Sequence, residues 1–304
     1  MQIQRKKKTR ELVRFVHEQN VWGGIERPPD FTEFYVYVTL FKYIRNVGYG
    51  ILQEALKDSL PSHSSLSRYA QRILHALGHW ATTTQLAVGT HSEWQAASAL
   101  QAGNSSNSDR LRRWYQHHNQ VLLWWRSLEF RLAKTREKSG AQYHPSWSLK
   151  AKGPAERFMV LMDANTVVRA VFGGYSPQTT DGEVIKWKKK WIDKKLGVTS
   201  VGNNRSFLKG AKRLKNHRLI VVNSLEKREA REEGNEAEED EEGDGTEEEE
   251  KKTMQEMKMK MEAPFVFARR GFAALSVPFQ EREEYLHSLV CFSLAVHNWK
   301  VQQQ

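Results

Sequence analysis

The chain has 304 residues, 39% of them hydrophobic and 11% aromatic with ten Trp, which is enough apolar mass for one or two packed domains and excludes a wholly disordered polymer. Lys and Arg number 47 against 36 Asp and Glu, a net charge of +11; residues 226–252 alone hold 15 acidic and 5 basic groups, so the remainder carries +21. A cationic body of this kind suits a polyanion partner, no apolar run reaches the roughly 18 residues of a membrane span, and the single cysteine, Cys291, excludes an internal disulfide framework.

Residues 1–20 open with Arg5, Lys6, Lys7, Lys8 and Arg10 and are expected to form a basic flexible tail of the nuclear-import type, without the apolar run of a secretory signal. Over 31–46, Phe34, Tyr35, Val38, Phe41 and Ile44 recur at helical spacing; Gly48 and Gly50 interrupt the pattern, and Ile51, Leu52, Ala55 and Leu56 restart it. Pro61 and the serines that follow supply a turn and cap candidates, after which Leu66, Tyr69, Ala70, Ile73, Leu74 and Leu77 mark a third helix. Residues 21–80 are thus expected to be an all-α helix-turn-helix DNA-binding domain. Its second helix would present Ser64, Ser67, Arg68, Gln71 and Arg72, small polar and Arg side chains suited to base edges and phosphates. Residues 81–118, rich in Thr, Ser, Ala, Gly and Asn, are expected to be a linker.

Beyond the linker the periodicity shortens. Residues 121–130, 157–163 and 166–173 are apolar runs of strand length, the last two joined by Ala164-Asn165 as a hairpin turn. A Lys- and Trp-rich helix follows over 181–196, then short strands at 198–201 and 219–222, and two helices at about 253–275 and 281–300. That order predicts an α/β fold. It is an RNase H-like core over 119–304, a mixed sheet of about five strands with flanking helices, interrupted by an acidic loop at 226–252 too charged to bury a core.

Two further groups bear on chemistry. Lys186, Lys188, Lys189 and Lys190, with Lys212 and Arg213 downstream, form the densest basic region and are expected to contact phosphates. Trp124, Trp125, Trp187 and Trp191 are expected to pack together, and Cys291, between apolar neighbours, is expected in the core and not as a nucleophile.

The run Leu123-Trp124-Trp125-Arg126-Ser127-Leu128-Glu129-Phe130 resembles the opening strand of DDE-superfamily transposase endonucleases of the PIF/Harbinger-like clan. Residues 158–163 and Gly173-Gly174-Tyr175-Ser176 continue the likeness, Val201-Gly202-Asn203-Asn204 resembles the strand end that carries the family's second acid, and Met261-Glu262-Ala263-Pro264-Phe265 with His297-Asn298 resembles its terminal helix block. The resemblance implies divalent-metal-dependent DNA cleavage and strand transfer, with Mg²⁺ or Mn²⁺ held by three carboxylates. Carried over by position, the first acid falls on Arg126 and the second on Asn203, leaving Glu262 as the surviving catalytic and metal-ligating type of acid. A guanidinium about 4 Å from a divalent ion is repelled by roughly 8 kcal/mol at an effective dielectric near 20. The expectation is a DNA-binding, transposase-derived nuclear protein with catalysis lost or impaired and metal binding weakened. It would self-associate as such transposases do, with no membrane and no small-molecule substrate. Two alternatives stand beside it: an active nuclease recruiting Asp163 or Asp181 to Glu262, and a non-enzymatic nuclear interaction protein.

Overall fold

The computed structural model describes residues 2–19, 32–56, 61–117, 123–133, 147–195, 200–202, 219–221 and 244–302. Within these residues the chain is mixed α/β: α1 (Gln2–Glu18), α2 (Thr32–Arg45), α3 (Tyr49–Ala55), α4 (His63–Trp80), α5 (His91–Gly103) and α6 (Asp109–His117) precede β1 (Leu123–Arg131), β2 (Trp147–Ser148), β3 (Gly153–Asp163) and β4 (Val168–Tyr175). After them come α7 (Asp181–Lys195), β5 (Ser200–Gly202), β6 (Leu219–Val221), α8 (Asp244–Gly271) and α9 (Glu283–Val301). Two units interleave along the sequence. One comprises Met1–Ala87, Glu129–Glu156 and Phe265–Trp299; the other comprises Val88–Leu128, Arg157–Pro264 and Lys300–Gln304. The expected division into an N-terminal helical domain and a following core is not this one, because most of α9 belongs with the N-terminal helices.

In the first unit α1, α2 and α3 pack on α4. The 1–20 segment, expected to be a flexible tail, contains α1; Leu12 and Val16, one turn apart, are buried and give the basic sequence an apolar edge. Helix α4 buries Leu66, Tyr69, Ala70, Ile73, Leu74 and Leu77, and its N-cap Ser62 accepts from the Ser65 N–H. It meets α9 at Gly78, where a Cβ would stand 2.7 Å from Ser288 Cα, and Trp80 packs edge-on to Trp299 with centroids 4.9 Å apart. Helix α2 departs from its simple period. Phe41 and Ile44 are exposed, whereas Tyr35, Val36, Val38 and Tyr43 are buried.

Tyr43 turns inward to a charged anchor. Glu281 accepts from the Tyr43 hydroxyl at 2.7 Å and the Tyr49 hydroxyl at 3.2 Å, and pairs with Lys42 Nζ at 2.6 Å. The ammonium in turn lies 4.4 Å and 4.5 Å from the centroids of the Tyr43 and Tyr49 rings.

In the second unit, β3 lies between β4 and β1, followed by β5 and β6. The β3–β4 pair is antiparallel; β1–β5 and β5–β6 are parallel, with Trp124 opposite Val201. Side-chain alternation along β1 divides its residues between two faces. Leu123 and Trp125 enter a core with Met159, Leu161, Ala170 and the α7 residues Val184, Ile185 and Ile192; Trp124 faces Trp114 and Tyr115 of α6. Among the described residues no helix is long and apolar enough to cross a membrane.

The 81–118 segment, expected to be a linker, instead contains α5, α6 and, before them, a π-helical turn at Ala81–Gln85. Its polar residues are caps and ties. Thr90 and Glu93 form a reciprocal capping box on α5, and Ser108 Oγ accepts from the Leu111 N–H to start α6. Ser108 also donates to Glu256 of α8 at 2.5 Å, and Gln101 Nε2 donates to Asn165 Oδ1 at 2.7 Å. Lys260 donates to Gln101 Oε1 at 3.2 Å and to Asn107 Oδ1; burial holds its ammonium below the usual lysine range. The first residues of the expected acidic loop that are described, from Asp244 onward, are helical and open α8; 226–243 lie outside the described residues.

Candidate functional site

Arg126 projects from the same face of β1 as Trp124, and its Nη2 donates to Glu262 Oε1 at 2.6 Å, across 136 positions of sequence. Arg126 is mostly covered, 13% exposed at the side chain, while Glu262 on α8 is 49% exposed. Met257 and Met261 bury the opposite side of α8 and so fix the direction in which Glu262 points. Asn203, the third residue of the set, follows Gly202 at the end of β5 and lies outside the described residues.

A divalent cation does not fit this pair. The carboxylate already accepts a charge-assisted hydrogen bond from a guanidinium, and a metal on Glu262 would sit within a few ångströms of that fixed positive charge. The two acids offered as replacements are engaged elsewhere. Asp163 closes the β3–β4 turn: Oδ1 accepts from the N–H groups of Asn165 and Val167 at 2.9 and 3.1 Å, and Oδ2 accepts from Arg169 Nε and Nη2 at 2.9 and 2.7 Å. Burial pushes its carboxyl up despite Arg169. Asp181 is buried at the start of α7 with Arg157 Nη1 3.7 Å away. Among the described residues no three His, Cys, Asp or Glu gather as a metal-binding group. No family model, curated protein or solved structure matches the chain.

The basic surfaces are the remaining candidates. On α4, Ser64, Arg68 and Arg72 are exposed at one-turn intervals, but Ser67 and Gln71 are half-buried and bond to each other at 3.4 Å; Ser67 also shares a hydrogen bond with Tyr49. Three of the five residues expected to contact DNA are therefore exposed, and two support the fold. On α7, Lys186 and Lys190 are exposed, Lys188 lies 5.9 Å from the Phe172 ring centroid, and the side chain of Lys189 together with Lys212 and Arg213 falls outside the described residues.

The four tryptophans part company. Trp125 stacks on Phe172 and Trp191 meets Phe172 edge-on, as packing residues, and Trp124 is buried; Trp187 is 58% exposed. Its position, seven before Lys194 and three before Lys190, carries the signal that separates it from Trp191, which follows the buried Val184 by seven. The sequence pattern also leaves unrecognised that Thr180, and not Asp181, caps α7: Thr180 N–H and Oγ1 donate to Glu183 Oε2 at 2.7 and 3.0 Å, and the Glu183 N–H returns to Thr180 Oγ1. Those bonds hold the Glu183 carboxyl below the usual carboxylate range. Cys291 is buried and its thiol is pushed up to about 12 by desolvation, a core sulfur with no thiolate to offer at neutral pH.

Proposed function

We propose that the chain is a transposase-derived, nuclear DNA-binding protein of the DDE endonuclease lineage in which metal-dependent cleavage and strand transfer are lost. The observation that carries this reading is the 2.6 Å contact between Arg126 and Glu262. The resemblance assigns the two residues to the first and third acids of one catalytic centre, and they are remote in sequence and adjacent in space. The sheet supports the same reading: an antiparallel pair, β3 and β4, on one side of β1 and two parallel strands, β5 and β6, on the other agree with the RNase H-like core that the resemblance implies. The α2–α4 helices with the exposed Ser64, Arg68 and Arg72 favour a helix-turn-helix grip on duplex DNA.

In this reading the Arg126–Glu262 pair replaces the metal-binding function with an internal ion pair, and the protein keeps the electrostatic part of its ancestor's task. Self-association, a habit of such transposases, belongs to the same proposal. The active-nuclease alternative is disfavoured because Asp163 is held by Arg169 and by backbone N–H groups, and Asp181 is buried with Arg157 3.7 Å away.

The test is direct. Purified protein is incubated with supercoiled and linear duplex DNA in Mg²⁺ or Mn²⁺, beside a Glu262→Gln variant, while binding is followed across a salt titration. The expected result is no nicking by either protein and an affinity that falls steeply with salt. Metal-dependent nicking that Glu262→Gln removes would overturn the loss of catalysis, and absence of salt-sensitive binding would overturn the DNA-binding role.

A further inference from the structure

We propose that the exposed face of α7 is a platform for unpaired DNA, with Trp187 stacking a base and Lys186, Lys190 and Lys194 holding the flanking phosphates. The proposal rests on the DNA-binding reading above for its ligand and adds to it the strand state and the side chains that would sense it.

The face is defined by helical spacing. Val184, Ile185 and Ile192 point into the core of the unit, and the opposite side carries Glu183, Lys186, Trp187, Lys190 and Lys194, all exposed. Lys186, Lys190 and Lys194 recur at four-residue steps, about 6 Å apart along the axis, so three ammonium groups line one ridge. Glu183, the acid on that ridge among the described side chains, accepts from the Thr180 N–H and hydroxyl as a cap, and its charge also acts on Lys186.

Trp187 sits beside the ridge. A tryptophan that packed for stability alone would turn inward as Trp191 does, but Trp187 keeps 58% of its surface in solvent. Tyr175 at the end of β4 braces it on one side, ring centroids 5.9 Å apart and planes inclined at 46°, which limits its rotamers and leaves the ring presented outward. A pre-oriented aromatic among lysines is the combination by which proteins hold single strands: every base has a π-face, and each phosphate finds a cation. A paired base in a duplex does not expose its face, so the ring discriminates strand state where the lysines alone do not.

The experiment uses the full chain and fluorescence anisotropy of a labelled 15-nucleotide oligothymidylate, the same length of blunt duplex, and the equivalent single-stranded RNA. Trp187→Ala is expected to weaken the oligothymidylate by roughly 5- to 100-fold and the duplex by less than about 2-fold, and Trp187→Phe to retain most of the binding. Lys186→Gln, Lys190→Gln and Lys194→Gln together should lower the slope of log affinity against log salt on the single strand by roughly two. Circular dichroism and the thermal midpoint of each variant guard against unfolding. Equal weakening of duplex and single strand by Trp187→Ala, or no weakening, would overturn the stacking platform and leave DNA binding standing. Tighter binding of the RNA than of the oligothymidylate would overturn the choice of DNA. A wild-type chain that binds none of the three would remove the DNA-binding reading and this proposal together.

Discussion

At the scale of single residues, the sharpest constraint lies opposite Phe158. The β3–β4 register shifts between Arg157 and Met159, so that Gly173 and Gly174 take up a bulge facing the buried Phe158 ring. A Cβ on Gly173 would overlap that ring, and Gly174 stands at φ +77°, in the left-handed region. Gly173→Ala is therefore expected to lower unfolding stability by about 1–3 kcal/mol in a urea titration, more than Gly174→Ala at about 1 kcal/mol. A Gly173→Ala variant as stable as the parent would show that the sheet relaxes around the methyl group. The bulge was not legible in sequence, because it depends on the partner strand and Phe158 lies fifteen residues upstream of Gly173.

Elements show where sequence reading succeeds and where it stops. The buried periodicity of α4 and the apolar runs of β1, β3 and β4 are repeated features of one segment, and each lies within a few residues of its expected place. Helices α5 and α6 were not legible, since Asn104, Ser106 and Ser108 belong to the same residue types that fill linkers. The turn between the two helices is tied down by Glu256, through Ser108, and by Lys260, through Asn107, each about 150 positions away. The Arg126–Glu262 contact was legible only through resemblance, and the exposure of Trp187 not at all from composition.

The Glu281 anchor of α2 and α3 belongs to this non-local class and gives a pH signature. Burial, then the charge of Glu281, raise the Tyr43 hydroxyl well above its ordinary value near 10. A folded-state pKa above the unfolded one contributes stability in full below pH 10 and loses it as the pH rises beyond. Thermal midpoints should accordingly hold steady from pH 8 to 9.5 and fall above 10, and Tyr43→Phe, which cannot ionise, should fall less steeply. Parallel curves for the two proteins would show that the anchor does not govern alkaline unfolding.

At the scale of the whole molecule the decisive property is the partition of charge. Residues 226–243, which lie outside the described residues, hold ten acidic and three basic groups; without them the net charge rises from +11 to +18. On the DNA-binding reading proposed above, a tethered polyanion would compete with the ligand for the same cations at high effective concentration. Replacing 226–243 by an uncharged Gly/Ser segment of equal length should raise affinity for duplex DNA severalfold at about 50 mM salt. The difference should shrink as salt approaches 1 M, where the Debye length is about 3 Å. Equal length separates charge from chain connectivity. An affinity unchanged at low salt would mean that the acidic segment does not reach the basic faces. A gain that persists at high salt would mean that it blocks them by bulk instead of by charge.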